Sequence, residues 1–417
     1  MKKVTAVLIG AGQRGAHAYA PYALKHPEEL EFVAVAEPIP ERREHMQKTY
    51  HIPEENCFTS WDELVAQPRM ADVALICTQD RMHFEPTMKA LELGYHVLLE
   101  KPMSPDPKEC LEMGAYSEKH QRVFTICHVL RYTPFFQTLK KLLQEGRIGQ
   151  LISIQHNENV GYWHQAHSFV RGNWRNSKET SPMILAKSCH DMDILLWLAG
   201  DHCVSLSSFG DLTHFKKQNA PKGAPRRCTD GCPVEKECPY FAPRLYLTEN
   251  TGWPTSSISE DLSLEGRKKA LEEGPYGRCV YHCDNDVVDH QVVNMQFAND
   301  VTAAFTMCAF TNEVSRTLKL MGTKGEIRGA MEKNEIEITD FLTGEKEVIT
   351  IDPSNSGHGG GDFGLMKDFL EQVRQNGQGE SLTSASISVQ SHLMAFAAEQ
   401  SRLQHRVISL KEFKKEV

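Results

Sequence analysis

The chain has 417 residues, of which 40% are hydrophobic and 24% charged, and its formal net charge is -9. This length favours two domains, and the composition is typical of a globular protein. The negative balance argues against nucleic acid or an anionic membrane surface as a partner.

The chain shows no sign of a membrane span or a secretory leader. No apolar run approaches the roughly 20 residues that a bilayer requires. The apolar stretch that follows Met1-Lys2-Lys3 stops at Gly10, which is too short for a signal peptide. We therefore expect a cytoplasmic protein whose 12 cysteines are mostly reduced.

The first predicted element is an apolar strand that runs directly into Gly10, Gly12 and Gly15. In this G-x-G-x-x-G pattern the first glycine makes a tight turn, the second admits a pyrophosphate, and the third lets helix and strand pack closely. A helix that starts near Gln13 would hold the phosphates at its N-terminus. The motif therefore predicts a dinucleotide-binding domain.

Strands and helices alternate as far as about residue 127, which predicts a parallel sheet with helices on both faces. Glu37 follows the second strand, where a carboxylate accepts hydrogen bonds from ribose hydroxyls and repels a 2′-phosphate, so NAD is favoured over NADP. Arg42 and Arg43 lie close behind and would soften that preference. The candidate strands are Val4–Ile9, Leu30–Ala36, Val73–Cys77, His96–Leu99 and Arg122–Ile126.

Two segments follow later strands, at the sheet edge where ligands bind in open α/β folds. They are Thr78 to His83 and the triplet Glu100-Lys101-Pro102. Pro102 restricts Lys101 to an extended backbone, which holds the lysine in place for chemistry. The alternative is an exposed lysine beside a turn. The candidate cofactor-binding residues are Gly10, Gly12, Gln13, Arg14, Gly15, Glu37, Thr78, His83, Glu100 and Lys101.

With these motifs the chain resembles the Gfo/Idh/MocA family, the glucose-fructose oxidoreductase and inositol dehydrogenase type. The matching stretches are residues 10–15, 100–102, 128–134, 171–175, 190–193 and 358–362. The resemblance implies a Rossmann domain (1–127) and an α+β domain (128–417) with a large, open, mostly antiparallel sheet. It also implies hydride transfer between NAD(P) and a sugar or cyclitol, and homodimers or homotetramers formed through the second sheet.

The pattern after residue 150 changes to alternating strands, as expected for an antiparallel sheet with one covered face. The clearest are Leu151–His156, Val287–Phe297, Val301–Cys308 and Thr317–Met321.

Between these strands, residues 188–198 read as a helix, with Ser188 as its N-cap and Asp191 three residues on, close to a capping box. His190 and Asp193 share one face of its first turns. By resemblance, His190 matches the family's catalytic histidine and Asp193 the acidic residue that follows it.

One position departs from the family pattern. Many members carry an aspartate four residues before that histidine, where this chain has Ala186, followed by Lys187. Either Lys187 supplies the missing polar function, or His190 works without an aspartate to orient it.

The oxidation of an alcohol requires a base for the hydroxyl proton. We expect Lys101 and His190 to share the alcohol, one as base and the other as hydrogen-bond donor, with Lys187 as the third catalytic candidate.

Polyol binding requires many hydrogen bonds and apolar faces, and residues 159–175 concentrate such side chains. Any single aromatic residue there is as readily explained as part of the core as it is as a substrate contact. The candidate substrate contacts are Tyr132, His164, Asn173, Trp174 and Asp191.

A cysteine-rich insert spans about residues 215–284. Three residues separate Cys228 from Cys232 and Cys279 from Cys283, whereas two residues separate the cysteines in the C-x-x-C spacing of common zinc knuckles. In a reducing cell a structural zinc site is one interpretation, and disulfides or simple packing are the others. The candidate metal ligands are Cys228, Cys232, Cys238, Cys279 and Cys283.

Three functions are compatible with these features. The first is an NAD-dependent dehydrogenase of a sugar, sugar acid or cyclitol. The second is a redox-neutral glycoside hydrolase that oxidises the sugar transiently, eliminates the aglycone and reduces the product again. The third is a non-catalytic sensor of NAD or sugar, against which the retention of both Lys101 and His190 counts.

Overall fold

Two β-sheets organise the chain in a computed structural model, which describes residues 2–120, 122–352, 358–379 and 381–417. The strands are β1 (Val4–Ile9), β2 (Leu30–Ala36), β3 (Cys57–Phe58), β4 (Val73–Ile76), β5 (His96–Leu99), β6 (Phe124–Ile126), β7 (Leu151–Asn159), β8 (Cys203–Asp211), β9 (His290–Phe297), β10 (Thr302–Cys308), β11 (Ser315–Gly322), β12 (Gly325–Ala330), β13 (Glu335–Asp340), β14 (Lys346–Thr350) and β15 (Ile408–Ser409).

The α-helices surround these sheets and, within the described residues, none is long and apolar enough to cross a bilayer. They are α1 (Pro21–Lys25), α2 (Pro40–Tyr50), α3 (Trp61–Val65), α4 (Phe84–Glu92), α5 (Pro107–His120), α6 (Pro134–Gln144), α7 (Tyr162–His164), α8 (Met183–Ala186), α9 (Cys189–Ala199), α10 (Ala242–Tyr246), α11 (Leu264–Glu273), α12 (Gly361–Arg374), α13 (Ala385–Gln404) and α14 (Leu410–Glu416).

The first sheet has six parallel strands in the order β3-β2-β1-β4-β5-β6. Strands β4 and β5 are buried at every residue, as expected for a parallel sheet covered on both faces. The predicted Rossmann domain is confirmed, and the strands β1, β2 and β5 have the predicted bounds. The short edge strand β3 was not predicted from the sequence.

The segment that follows the glycine motif differs from the expected α-helix. Gln13–Tyr19 forms a π-helical stretch, in which the Ala20 amide donates to Gly15 O over 3.0 Å, and α1 follows it. The N-terminus of this stretch is still the end where backbone N–H groups have no intrahelical partner.

The second sheet has nine strands in the order β14-β13-β12-β11-β7-β10-β9-β8-β15. Neighbouring strands are antiparallel, except that β7 and β10 run parallel, so the predicted mostly antiparallel sheet is confirmed. Helices α9 and α13 pack against one face. Of the predicted strands, the one placed at 287–297 begins three residues later, at His290.

The opposite face of this sheet is open and uncharged across its middle. Three rungs of paired residues cross β7, β10, β9 and β8 on this face. They are Ser153, Thr302, Gln296 and Ser205; then Gln155, Ala304, Asn294 and Ser207; then Asn157, Thr306, Val292 and Phe209.

The two domains share a core. Helix α12 lies far along the chain, yet Leu365, Met366 and Phe369 pack in one buried cluster with Leu8 of β1. Helix α13 packs against α5, and the Ile126 amide donates to Thr383 O over 2.8 Å. The C-terminal segment therefore completes the interior of the first domain.

Candidate active site

The glycine loop after β1 has the geometry that a pyrophosphate needs. Gly10 has a φ of +90°, and a Cβ at Gly15 would overlap the carbonyl oxygen of Gly10, so neither position accepts a side chain. A Cβ at Gly12 would meet only the tip of Arg42, at 3.9 Å. The loop is therefore tight at its two ends and open at its middle, where a ligand backbone would approach.

Glu37 lies beside this loop at the end of β2. Its buried carboxylate accepts hydrogen bonds from the Ala11 amide at 2.7 Å and from the Ile39 amide at 3.0 Å. These contacts fix the carboxylate at the glycine loop, and each oxygen keeps a lone pair for a further donor.

Arg14 of the loop connects three distant parts of the chain. Its guanidinium donates to Glu100 at 2.6 Å, to Asp362 at 2.7 Å and to the Tyr19 hydroxyl at 2.5 Å. Burial alone would raise the pKa of the Glu100 carboxyl, but Arg14 and then Lys101 outweigh it and hold that pKa below its ordinary value. The loop is thus anchored by two ionised carboxylates.

The Glu100-Lys101-Pro102 turn is held from two sides. His83 brings one ring nitrogen to 2.6 Å from Pro102 O and the other to 3.1 Å from Thr78 O. On the other side, the Met103 amide donates to His392 Nε2 over 2.9 Å. The predicted cofactor residues Thr78 and His83 therefore make contacts within this turn region, and the peptide bond between Lys101 and Pro102 is cis.

Lys101 reaches from this turn into the second domain. Its Nζ donates to Ala186 O over 2.8 Å, at the end of α8. The carbonyl of Ala186 is thus a fixed acceptor for the lysine. Lys101 lies across the cleft between the parallel sheet and the helices of the second domain.

Helix α9 presents His190 to the same cleft. The imidazole is buried, its Nδ1 has no partner among the described residues, and its ring centroid lies 5.8 Å from that of His128 and 6.1 Å from that of His358. Burial, and then the charge of Lys101, lower the pKa of His190 well below its ordinary value. The imidazole is therefore neutral near pH 7, with one ring nitrogen that carries no proton.

The expected capping box at the start of α9 is wrong. Ser188 precedes the helix, but its hydroxyl is buried and makes no capping hydrogen bond. Its backbone is already close to helical because α8 ends two residues before it, at Ala186, so the amides of Asp191 and Met192 bond to Ser188 O instead.

The two aspartates that follow His190 enter separate ion pairs. Asp193 accepts two hydrogen bonds from Arg131, both 2.7 Å long, in a fully buried pair. Asp191, a predicted substrate contact, is also buried and accepts from His156 at 2.8 Å and Arg316 at 2.9 Å. Both carboxylates hold α9 in place, and only Oδ2 of Asp191 lacks a protein donor among the described residues.

Lys187 lies beside a pair of charges that sequence reasoning missed. Its Nζ is 3.2 Å from Glu158, and Arg316 approaches the same carboxylate to 2.6 Å. Glu158 and Arg316 are register partners on β7 and β11. Burial lowers the pKa of Lys187, and Glu158 opposes that shift. Lys101, Lys187 and His190 are thus brought together, with Glu158 and Arg316 behind them.

The other predicted substrate contacts are distributed around the cleft. His164 is buried, its Nδ1 has no described partner, and burial followed by the charge of Lys187 lowers its pKa well below the usual value. Trp174 donates to Asp80 over 3.2 Å, and Asn173 is exposed beside it. Tyr132 is occupied elsewhere, because its hydroxyl lies 3.0 Å from Asp368 and 3.2 Å from Thr383.

Of the interpretations of the cysteine-rich insert, a zinc site is not shown among the described residues. Among the described residues, the only group of three or more His, Cys, Asp or Glu ligand atoms within 4.8 Å of one another is His26, Glu28 and Glu29, near the surface. Cys228, Cys232, Cys238 and Cys279 line one small cavity with Arg171, which donates to Cys228 Sγ at 3.7 Å. Burial raises the pKa of the Cys279 thiol to about 11. The insert's cysteines are free thiols: Cys238, Cys279 and Cys283 pack in one cluster with aromatic rings, and Cys228 packs in a second.

The insert instead covers the cleft with aromatic side chains. Tyr246 places its hydroxyl 2.8 Å from His167, and Tyr276 stacks on the same imidazole at 4.8 Å between centroids. Trp253 packs edge to face on His164, with centroids 5.0 Å apart. The insert is therefore a wall of the site.

A glycine loop on a parallel sheet, a half-buried lysine at the carboxyl edge of that sheet and a buried histidine from the open-sheet domain define a dinucleotide-binding protein with acid–base groups beside the cofactor position. Residues 4–128 match the domain described as "Oxidoreductase family, NAD-binding Rossmann fold", and residues 140–410 match "Oxidoreductase family, C-terminal alpha/beta domain". The chain belongs to the Gfo/Idh/MocA family of oxidoreductases.

Among its relatives, the oxidoreductase YteT of Bacillus subtilis is 24% identical over 340 residues, which span 77% of this chain and 76% of YteT. The 2,7-anhydro-N-acetylneuraminate hydratase of Escherichia coli is 27% identical over 158 residues, or 38% of this chain and 41% of the hydratase. A solved levoglucosan dehydrogenase in complex with NADH and levoglucosan covers 98% of this chain and 99% of its own, with 18% identity and a TM-score of 0.73. That likeness shows the fold.

Proposed function

We propose that this protein is an NAD-dependent dehydrogenase that transfers a hydride between the nicotinamide and a hydroxyl of a sugar, sugar acid or cyclitol. The observation that carries the proposal is the meeting of Lys101 and His190 at the carboxyl edge of the sheet that bears the glycine loop. The family, and the name of the levoglucosan-binding neighbour, support a carbohydrate substrate.

The glycine loop fits a dinucleotide, since it is open at Gly12 and has the Glu37 carboxylate beside it. When bound, the nicotinamide supplies the hydride acceptor. The protein's own task is to bind the alcohol, orient it and remove its proton. The buried walls of the cleft exclude water from this step, which strengthens each polar contact.

His190 is the proposed proton acceptor, because burial keeps its imidazole neutral and its Nδ1 has no described partner. Lys101 is the proposed donor to the same oxygen. Its Nζ donates one hydrogen bond to Ala186 O and retains N–H groups for the substrate. Lys187 supports this arrangement from the other side, held by Glu158.

A redox-neutral glycoside hydrolase is the second candidate. It needs an additional acid or base near the glycosidic bond, and His164 is a buried imidazole with an unpartnered Nδ1 beside Lys187. The hydratase relative shows that the family includes named activities other than net oxidation.

One experiment separates the two candidates. The purified protein is incubated with NAD and a panel of free sugars, sugar acids, inositols and glycosides, while NADH and products are followed together. Net NADH from a free polyol supports the dehydrogenase. Aglycone release without net NADH, with solvent deuterium at the carbon next to the oxidised one, supports the hydrolase. Neither outcome with any substrate contradicts both.

A further inference from the structure

Among the described residues, an exposed ion pair joins the insert to the dinucleotide-binding domain. Glu260, which lies between the insert's aromatic wall and α11, brings Oε1 to 3.0 Å from the guanidinium of Arg42. Arg42 is in the first turn of α2, five residues after Glu37. Its Nη1 is also the atom closest to a Cβ placed on Gly12. Glu260 thus reaches the side of the glycine loop on which Glu37 lies.

The two arginines that follow β2 have different environments. Arg43 donates to the carbonyl oxygens of Glu37, at 2.5 Å, and of Pro38, at 3.3 Å, so its guanidinium holds the β2–α2 loop together. Arg42 makes no such backbone contact among the described residues, and Glu260 is its recorded partner. Arg42 is therefore the guanidinium that a ligand beside Glu37 would meet.

This position decides between the two nicotinamide cofactors. In a Rossmann domain the acidic residue after the second strand contacts the ribose 2′-hydroxyl, and an arginine nearby accommodates a 2′-phosphate. A guanidinium binds a phosphate group through paired hydrogen bonds. This chain has both residue types, Glu37 and Arg42. The relative affinity for NAD and NADP therefore depends on whether the Arg42 guanidinium is free to bind a phosphate.

We propose that Glu260 is a cofactor-specificity residue, which binds Arg42 and so withholds its charge from a 2′-phosphate. The inference rests on the proposed function, since it requires a dinucleotide in the cleft. It also assigns the insert a role at the adenosine end of the cofactor.

The test measures NAD and NADP binding to the purified protein by calorimetry, without substrate or turnover. Glu260→Gln removes the charge and keeps the shape, and Glu265→Gln is the matched control, an exposed glutamate on the same insert. We expect Glu260→Gln to tighten NADP binding about tenfold, or about 1.4 kcal/mol, with NAD binding within about threefold of the wild type. Glu265→Gln should match the wild type.

Arg42 provides the second variant. If Glu260 acts by occupying Arg42, the gain in NADP affinity must disappear in Arg42→Ala combined with Glu260→Gln. An unchanged NADP affinity in Glu260→Gln, or a gain that persists without Arg42, overturns the inference and leaves the proposed function intact. A wild-type protein that binds neither cofactor contradicts both.

Discussion

Lys101 is the residue on which the proposed chemistry depends most. Its backbone is fixed on one side by His83 at Pro102 O and on the other by His392 at the Met103 amide. Its Nζ is fixed by Ala186 O. A lysine restrained at both ends loses little conformational freedom on meeting a substrate, which is an advantage for a group that must act on one hydroxyl.

Removing the Lys101 amine should therefore abolish most activity and leave the protein folded. We expect Lys101→Ala to lower turnover by about 100-fold or more, the usual contribution of a positioned acid–base group. Steady-state kinetics on the substrate found in the screen measures this, with the melting temperature as the readout of folding. Lys108→Ala, at an exposed lysine in the same region, is the control. Unchanged turnover in Lys101→Ala would contradict its role as an acid–base group.

The glycine loop offers a second prediction at this scale, because its three glycines have different surroundings. A Cβ at Gly15 overlaps Gly10 O, whereas a Cβ at Gly12 finds open space. Gly15→Ala should lower the melting temperature, and Gly12→Ala should leave it unchanged but weaken NAD binding about tenfold or more, because the methyl group occupies the pyrophosphate position. Equal effects of the two changes on NAD binding at equal stability would contradict this assignment.

Helix α9 shows how far sequence patterns determine an element. Its position follows from the apolar run after His190, and the motif marks its first turn. The Ser188 cap failed because α8 ends two residues before it, an arrangement that local sequence does not encode. Glu158 and Arg316 were missed for a related reason: they meet through the register of β7 and β11, and their sequence separation carries no signal of that pairing.

The ion pair of Asp193 and Arg131 joins α9 to the 3-10 turn after β6. Burial raises the pKa of the Asp193 carboxyl and the two hydrogen bonds from Arg131 oppose the rise. Asp193→Asn leaves a buried guanidinium without its counter-charge, so we expect the free energy of unfolding to fall by about 3–5 kcal/mol.

Denaturant titration measures this change, and Asp201→Asn, on the exposed segment after α9, is the control. Replacing both partners, with Arg131→Met and Asp193→Leu, should recover much of the loss, because it leaves no buried charge unpaired. A decrease in the free energy of unfolding of less than about 1 kcal/mol in Asp193→Asn would contradict this, because it is the contribution of an exposed salt bridge.

At the scale of the whole molecule, the number of buried histidines makes stability depend on pH. Burial lowers the pKa of His96 to about 4 and those of His167 and His392 to about 3. These groups titrate near 6.5 in the unfolded chain, so the unfolded state binds more protons below that pH. Above pH 6.5 the rings are neutral in both states and do not change the free energy of unfolding. As the pH falls from 6.5 toward their pKa values in the folded protein, the free energy of unfolding decreases.

We therefore expect the free energy of unfolding to decrease by about 1.4 kcal/mol for each such histidine between about pH 7.5 and pH 5.5. Urea titrations at the two pH values measure it. A free energy of unfolding that is equal or higher at the acidic pH would contradict the neutral, buried state of these rings.

The open face of the second sheet leads to a prediction about assembly. Its three central rungs contain no charged residue, whereas solvated sheet faces normally carry charges that keep them apart. We expect two copies of the chain to associate through this face, as the family resemblance implies. Light scattering should give at least a dimeric mass. Asn294→Glu with Ala304→Glu should reduce it and Gln67→Glu should not; a monomeric wild type would contradict the assignment.

Helix α12 also has a consequence for how the chain is made. Its residues Leu365, Met366 and Phe369 fill the interior beside β1, so the first domain's core contains side chains translated some 350 residues after its first strand. The glycine loop is therefore translated early, but Arg14 gains its second carboxylate only after Asp362 has been translated. We expect a nascent chain stalled before α12 to expose the apolar surface of the first domain that Leu365, Met366 and Phe369 cover.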